Sequence, residues 1–518
     1  MPKVKINGKE VEVPAGSTLI QAFKAAGQDI CHYCWHPGLS VAGVCRLCMV
    51  QIEGMPRLQI ACNTEVKDGM VANNTSDAVK ETVGWGLDFH LINHPLDCPI
   101  CDQAGECGLQ DQYMQFGKYD PEMAEPKVKK HKVIDLGPTV VLDSERCILC
   151  SRCVRFTDEV TKTSELGIFN RGDRSEIGVV EGKPLDNNYT LNTVDICPVG
   201  ALTSKDFRFR QRVWYLKDSD SICPGCSTGC SVKVYFNEEG LWRVKPRHNP
   251  DVNGYWMCDT GRDTYKYVNV KSRLLAGKIG KREGWQEVSP SEATRSASKH
   301  LCEVVAKHGA DSVALVVTGQ YTNEEYSDLF KFMSQEMKIK NVYHWLNNPE
   351  KVNEFDGLLF RGDRNPNTKG LEAAMATAGS KGSWETLQSN LNGGKVKLVI
   401  VLGPEDQATF PDLKEKIQMF AKAESMVWFT AGHNSDLDQV GCETWQIPVK
   451  AHIEKAGSFT NFQGKVQSFK LGTTIVPQAL TISEAMELLA GKELNWALRP
   501  KSLGGMKANY ATTQRGAL

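Results

Sequence analysis

Sixteen of the eighteen cysteines in this 518-residue chain fall between Cys31 and Cys258, and only Cys302 and Cys442 follow. Many sit in C-x2-C pairs, a spacing that suits metal better than disulfides, and disulfide scaffolds are short chains whereas this one has the length of about three or four domains. The first half must therefore fold round metal, and the second must build an ordinary apolar core. With 61 Lys and Arg against 62 Asp and Glu the net charge is -1, so the electrostatic footprint of a nucleic-acid binder or a polybasic membrane protein is missing. The longest apolar run, Leu398 to Leu402, is far shorter than the roughly 18 residues that cross a bilayer. Met1-Pro2-Lys3-Val4 opens neither a signal nor a transit peptide, which points to a reducing cytoplasmic setting without a direct membrane span.

The metal-ligating residues divide into four sets. Cys34, Cys45, Cys48 and Cys62 form C-x10-C-x2-C-x13-C, four thiolates on a glycine-bearing loop that suit a 2Fe-2S cluster; a four-cysteine zinc knuckle is the alternative. Cys31 reads as a buried spare. Ahead of this set, Val4, Ile6, Val11 and Val13 alternate about Asn7-Gly8, a hairpin signal, and Ser17 is placed to cap a helix through Leu19, Ile20 and Phe23 that ends at Gly27. That order is the start of a β-grasp ferredoxin domain or of another small α+β domain.

A helix from Thr75 and Ser76 through Val79, Val83, Leu87 and Leu91 delivers His94, which opens the second set, H-x3-C-x2-C-x5-C with Cys98, Cys101 and Cys107. Three cysteines leave a cluster one ligand short, and a histidine this close supplies it through a ring nitrogen. His90 belongs to the helix itself. The third set is the C-x2-C-x2-C run of Cys147, Cys150 and Cys153, completed by Cys197 before Pro198; Thr157 occupies the place of a further cysteine, so one 4Fe-4S cluster fits. Cys223, Cys226, Cys230 and Cys258 make the fourth set, C-x2-C-x3-C-x27-C. A string of one-electron centres implies electron transfer, and a zinc-rich interaction scaffold is the competing reading.

These residues resemble the family of the large iron-sulfur subunit (the G subunit) of bacterial NADH:quinone oxidoreductase, respiratory complex I. The segments Cys34-Trp35-His36-Pro37-Gly38-Leu39-Ser40, His94 to Cys107 and Cys258-Asp259-Thr260-Gly261-Arg262 carry the resemblance, which covers about Met1 to Ser468. It implies one 2Fe-2S cluster and three 4Fe-4S clusters, one of them His-ligated, and an electron-carrying chain with no substrate-catalytic site of its own. It also implies an FMN- and NADH-binding partner, other peripheral-arm subunits, and a place on the inner face of the cell membrane through the complex.

In the second half, Ser289-Pro290-x-Glu292 reads as a capping box before a stripe of Ala293, Ala297, Leu301 and Val304. Strands are expected at Val313 to Thr318, Leu398 to Leu402 and Met426 to Thr430. Thr322-x-x-Glu325 caps a helix with Tyr326, Leu329, Phe330, Met333 and Met337 on one face. Alternating strand and helix predict a doubly wound parallel sheet, and no G-x-G-x-x-G follows these strands. This half resembles the molybdopterin-oxidoreductase fold, including Ser458 to Asn461 and Gly464 to Gln467. Thr260 replaces the Lys that links cluster to pterin in that superfamily, and the half is short for a pterin enzyme. The resemblance thus implies a truncated domain without molybdopterin; the large subunit of a formate dehydrogenase or NAD-linked hydrogenase is the alternative.

The expected organisation is an α+β and α/β multidomain chain. It comprises a 2Fe-2S domain at 1–75, a His-ligated 4Fe-4S domain at 76–135, a ferredoxin-like domain at 136–215 and a fourth cluster domain at 216–275. The truncated α/β domain follows at 276–498, then a flexible tail at 499–518. The basic stretches Lys127 to Lys132 and Arg208 to Lys217 read as solvated faces or subunit contacts.

Overall fold

Asn7 and Gly8, both at positive φ (48° and 83°), make the tight turn that joins strands Lys3–Ile6 and Lys9–Glu12 with Ile6 opposite Lys9. Only such backbone matches the right-handed twist of the two strands across a two-residue loop. The hairpin forms one edge of a five-stranded mixed sheet whose next member, Val71–Asn73, runs parallel to Lys3–Ile6 and is followed by Met49–Ile52 and Gln59–Ile60. The helix Leu19–Ala25 buries Leu19, Ile20, Ala22 and Phe23 against it. Its N-cap is Thr18 rather than Ser17: Thr18 and Gln21 complete a reciprocal capping box. The computed structural model describes residues 1–120, 122, 125–269, 273–281, 284–379 and 382–494, and it divides into two units, the first being Met1–Tyr215 and the second beginning at Leu216.

Still in the first unit, Ser76 stands at the N-cap of the helix Asp77–Leu91, although its hydroxyl makes no bond to the first turn, and the helix buries Val79, Val83 and Leu87. A short helix Gly108–Phe116 follows Cys107. A three-stranded antiparallel sheet, Leu202–Ser204, Val140–Leu142 and Ile134–Asp135, carries the helices Arg152–Glu159 and Asn192–Ile196. Thr157 is fully buried in the first of these and donates to the Val154 carbonyl. One apolar core joins Tyr33, Leu47, Val83, Leu87, Leu109, Val140 and Leu142 with Cys31, Cys34, Cys45, Cys107, Cys150 and Cys153. The cysteines of three sets are thus part of the packing that orders their own loops.

The second unit opens with an antiparallel meander, Lys217–Ile222, Ser231–Asn237 and Gly240–Pro246. Its main body is a seven-stranded sheet. Val342–Trp345, Val313–Thr318, Leu398–Leu402, Ser425–Thr430 and Glu443–Pro448 are neighbours in that order and all parallel. Gly277–Lys281 and Gly284–Val288 then add an antiparallel hairpin beside the last, so the expected parallel sheet is mixed at one edge. Every residue of Val313–Thr318 and Leu398–Leu402 is buried, as strands covered on both faces require. Burial of each such Val, Leu or Ile contributes about 1.5–3 kcal/mol. Ser289 caps Pro290–His308 by accepting from the Glu292 amide, and Ala293, Ala297, Leu301 and Val304 face the core. The Thr322–Glu325 box closes reciprocally, but its helix Asn323–Phe330 widens to a π-helical turn over Lys331–Glu336. The tail at 499–518 lies outside the described residues, as do 495–498 of the expected α/β domain.

Candidate metal centres

Burial is the first constraint on the sixteen candidate ligands, because an apolar core disfavours a thiolate unless something positive neutralises it. Cys34, Cys45, Cys48 and Cys62 are all buried. They stand in two hydrogen-bonded pairs, Cys45 with Cys34 and Cys48 with Cys62, which lower the pKa of Cys34 and Cys62 and raise that of their partners. Cys31 is pushed up to about 12, by burial first and then by Cys48; it stays a protonated thiol in the core.

His94, Cys98, Cys101 and Cys107 line one cavity of about 230 Å³ together with Leu91, Leu109, Tyr113 and Arg146. The helix Asp77–Leu91 ends just before His94, whose backbone amide still donates to Leu91. Burial, then the Arg146 guanidinium, push the His94 pKa down to about 4, so at neutral pH the ring is the uncharged imidazole that binds metal. Its Nδ1 is enclosed without a hydrogen-bond partner, an omission that a bound metal would make good. His90, by contrast, is satisfied within its helix through Nδ1 and the Gly86 carbonyl at 2.6 Å. A β-carbon on Gly200 would overlap Cys101 Sγ, so the missing side chain makes room for the ligand. Arg146 is anchored by Asp97 at 3.0 Å and Asp143 at 3.3 Å.

Lys127, Lys129, His131, Lys132 and Lys217 of the basic stretches are exposed, and Lys130, Arg208, Arg210 and Arg212 are half-buried. Lys132 reaches Asp97 at 2.6 Å and Glu145 at 2.8 Å. Lys127 donates to the Leu91 carbonyl, and Arg212 Nη1 donates to the Cys101 carbonyl at 2.6 Å. Arg146, Arg212 and Gly200 do not stand out in the sequence. The positions of Arg146, directly before Cys147, and of Gly200, three residues after Cys197, are the available signal.

Cys147, Cys150, Cys153 and Cys197 act electrostatically on one another. Burial pushes Cys147 up to about 12 and Cys150 up to about 11. Leu149, between Cys147 and Cys150, and Ser151, between Cys150 and Cys153, both take positive φ, which wraps the backbone round the thiols, and the amides of Leu202, Val199 and Ala201 favour the Cys197 thiolate.

The fourth set is buried throughout, like the first. Cys223, Cys226, Cys230 and Cys258 are each 5% exposed, and burial pushes Cys223 up to about 12. The Gly225 amide donates to Cys223 Sγ at 3.4 Å and the Gly261 amide to Cys258 Sγ at 3.3 Å. The loop holding Cys226 and Cys230 is bonded on every side. Ser227 donates to the Asp363 carbonyl, Arg364 donates to the Gly225 carbonyl at 2.7 Å, Phe462 donates to Ser227, and Gln467 donates to Gly229 at 2.8 Å. Phe462 and Gln467 come from the hairpin Gly457–Thr460 and Val466–Phe469 and its turn.

Among the described residues no group of three or more His, Cys, Asp or Glu converges tightly enough on one point to hold a single metal ion. A cluster spreads its four ligands round a core of several atoms, and the donor chemistry of the four sets fits that group, with every thiol buried or half-buried except the exposed Cys98.

Four family models match in series. They are the 2Fe-2S iron-sulfur cluster binding domain at 2–77, the NADH-ubiquinone oxidoreductase-G iron-sulfur binding region at 87–121, the ferredoxin-like domain of NADH-quinone oxidoreductase subunit 3 at 137–203 and the molybdopterin oxidoreductase Fe4S4 domain at 216–270. The G subunit of NADH-quinone oxidoreductase from Rickettsia conorii is 32% identical over 441 residues, 84% of this chain and 60% of that protein. Over that span the chain is similar to NADH-quinone oxidoreductase G subunits. A mitochondrial NADH dehydrogenase [ubiquinone] iron-sulfur protein 1 from Solanum tuberosum is 36% identical over 66% of this chain and 45% of its own length. Among solved structures, an NAD+-reducing [NiFe]-hydrogenase chain in the H2-reduced state shares 28% identity over 41% of this chain and 91% of its own, at a TM-score of 0.38. The chain spans roughly half the length of the curated G-subunit relatives and their mitochondrial counterparts, from 39% to 60% of each. Three of the four matched models are named for iron-sulfur or Fe4S4 binding and the fourth for a ferredoxin-like domain, and the mixed α/β body follows the last of them.

Proposed function

We propose that this chain is an electron-transfer subunit of a respiratory NADH:quinone oxidoreductase, carrying electrons from an NADH-oxidising, FMN-bearing partner toward quinone. The observation that supports it best is the cavity shared by His94, Cys98, Cys101 and Cys107, a mixed donor set with a neutral imidazole. Bound iron-sulfur clusters supply the one-electron carriers. The chain's own part is to hold them. Cys34, Cys45, Cys48 and Cys62 would bind a 2Fe-2S cluster, and each of the other three sets a 4Fe-4S cluster, in domains at 1–75, 76–135, 136–215 and 216–275, ahead of an α/β domain at 276–498 without pterin. Burial and Arg146 keep His94 neutral, and Cys101 and Cys107 are buried beside it while Cys98 faces solvent. Among the described residues no helix is long and apolar enough to cross a membrane; the peripheral position through partner subunits, on the cytoplasmic face, rests on the similarity to the G subunits.

The fourth set is proposed to be structural and off the electron path. Its loop is bonded to Asp363, Arg364, Phe462 and Gln467 of the α/β body, and Thr260 stands where a pterin-linking Lys would be. The functional reading is tested on the chain isolated from its own cells. An NADH-oxidising flavoprotein should copurify, and NADH should bring up the electron paramagnetic resonance signals of reduced clusters. Signals that dithionite produces but NADH does not, in a preparation free of flavin, would contradict the reading.

A further inference from the structure

Arg152 stands between two of the thiol sets. It lies between Cys150 and Cys153 in sequence and opens the helix Arg152–Glu159. Its Nη2 donates to the carbonyl of Trp35, the residue after Cys34, at 2.7 Å, and its Nη1 donates to the carbonyl of Ile196, the residue before Cys197, at 3.1 Å. Nε is enclosed without an acceptor. Among the described residues no carboxylate pairs with this guanidinium, although its charge acts on the thiols of Cys150, Cys197 and Cys34. One turn on, Arg155 donates to the carbonyls of Cys34 and Ser40, so the same helix grips the first-set loop twice.

A guanidinium keeps its charge under any ordinary condition. Held here by neutral carbonyls, it carries a desolvation cost that only nearby negative charge offsets, and the thiolates that would hold two clusters are the negative groups on either side. We propose that Arg152 is a positioning residue shared by the first and third clusters, fixing the separation of their loops and raising the reduction potential of both. This inference rests on the cluster-binding reading above. Reduction makes a cluster one unit more negative, so a fixed cation beside it favours the reduced form. Because one side chain serves both sets, its removal lowers both potentials together. The second and fourth sets have their own cations, Arg146 and Arg364, and keep theirs.

The test is a redox titration, followed by electron paramagnetic resonance, of the full chain isolated anaerobically from its own cells, as wild type, Arg152→Gln and Arg152→Lys. In Arg152→Gln the reduction equilibria of the first and third clusters each fall by roughly tenfold, about 59 mV for one electron, while those of the second and fourth stay in place. Arg152→Lys, which keeps the charge, stays near wild type. Unchanged potentials in Arg152→Gln overturn the proposal, and so does an Arg152→Lys shift as large as that of Arg152→Gln. Loss of either cluster from both variants would make Arg152 an assembly residue and overturn it equally. A wild-type chain showing neither signal would instead fail the cluster reading itself, a result distinct from the others.

Discussion

His94 concentrates the chemistry of the second set in one ring. It is neutral because burial and Arg146 hold its pKa down at about 4, and its enclosed Nδ1 has no partner. His94→Ala is expected to remove one ligand, to lose or alter the signal of the second cluster, and to slow NADH-to-quinone turnover at least tenfold, leaving the first cluster's spectrum intact. Spectra of the intact complex beside its turnover check this, and normal turnover with all signals present would make His94 structural. Gly200→Ala tests the same cavity from the other side. Its β-carbon would collide with Cys101 Sγ, a strain of about 1–3 kcal/mol in a packed site. The second cluster's signal should weaken selectively, and full iron retention in that variant would show that the loop yields freely. His94, Cys98, Cys101 and Cys107 were legible as one group because short spacing keeps them together, and one cavity does collect them. Arg146, Arg212 and Gly200 were not, because their roles depend on long-range placement: Arg212 meets the Cys101 carbonyl across 111 residues of chain.

Among the elements, the fourth-set loop ties the most structure together. It bonds to the Asp363–Arg364 segment and to the turn of the Gly457–Phe469 hairpin, and binding of metal by such a loop adds directly to folding free energy. Cys226→Ser is therefore expected to cut the amount of assembled complex several-fold while leaving the turnover of each assembled complex near normal. Activity normalised to bound flavin checks this, and full assembly with collapsed turnover would put this cluster on the electron path. The strands Val313–Thr318 and Leu398–Leu402 were legible because a parallel strand buried on both faces is an unbroken apolar run. The edge pair Gly277–Lys281 and Gly284–Val288 was not, since its glycines and exposed charges carry no alternation. Thr18 caps its helix in place of Ser17 because Gln21 lies three residues beyond it and closes the reciprocal box, whereas Ile20, at the same spacing from Ser17, has no group to do so. The π-helical turn after Phe330 carries no period of its own to read.

For the whole molecule, the proposed function requires four clusters on the cysteine-rich first part and no pterin in the α/β body. Molybdenum and tungsten are expected to be absent from the purified chain, and no pterin should be released on denaturation; a fluorescent pterin product in the extract would return the formate dehydrogenase reading. What composition could not convey is how the metal is distributed, since sixteen ligands serve zinc or iron equally well on counting alone. Burial calls for a bound cation without naming it: desolvation pushes the thiols of Cys147, Cys150, Cys223 and Cys230 upward, and zinc or an iron-sulfur core would equally favour their deprotonation. The most direct measurement is therefore iron, acid-labile sulfide and zinc on the chain purified anaerobically from its own cells. One 2Fe-2S and three 4Fe-4S clusters predict about fourteen iron and about fourteen sulfide per chain with little zinc. Stoichiometric zinc with iron and sulfide near zero would contradict the account.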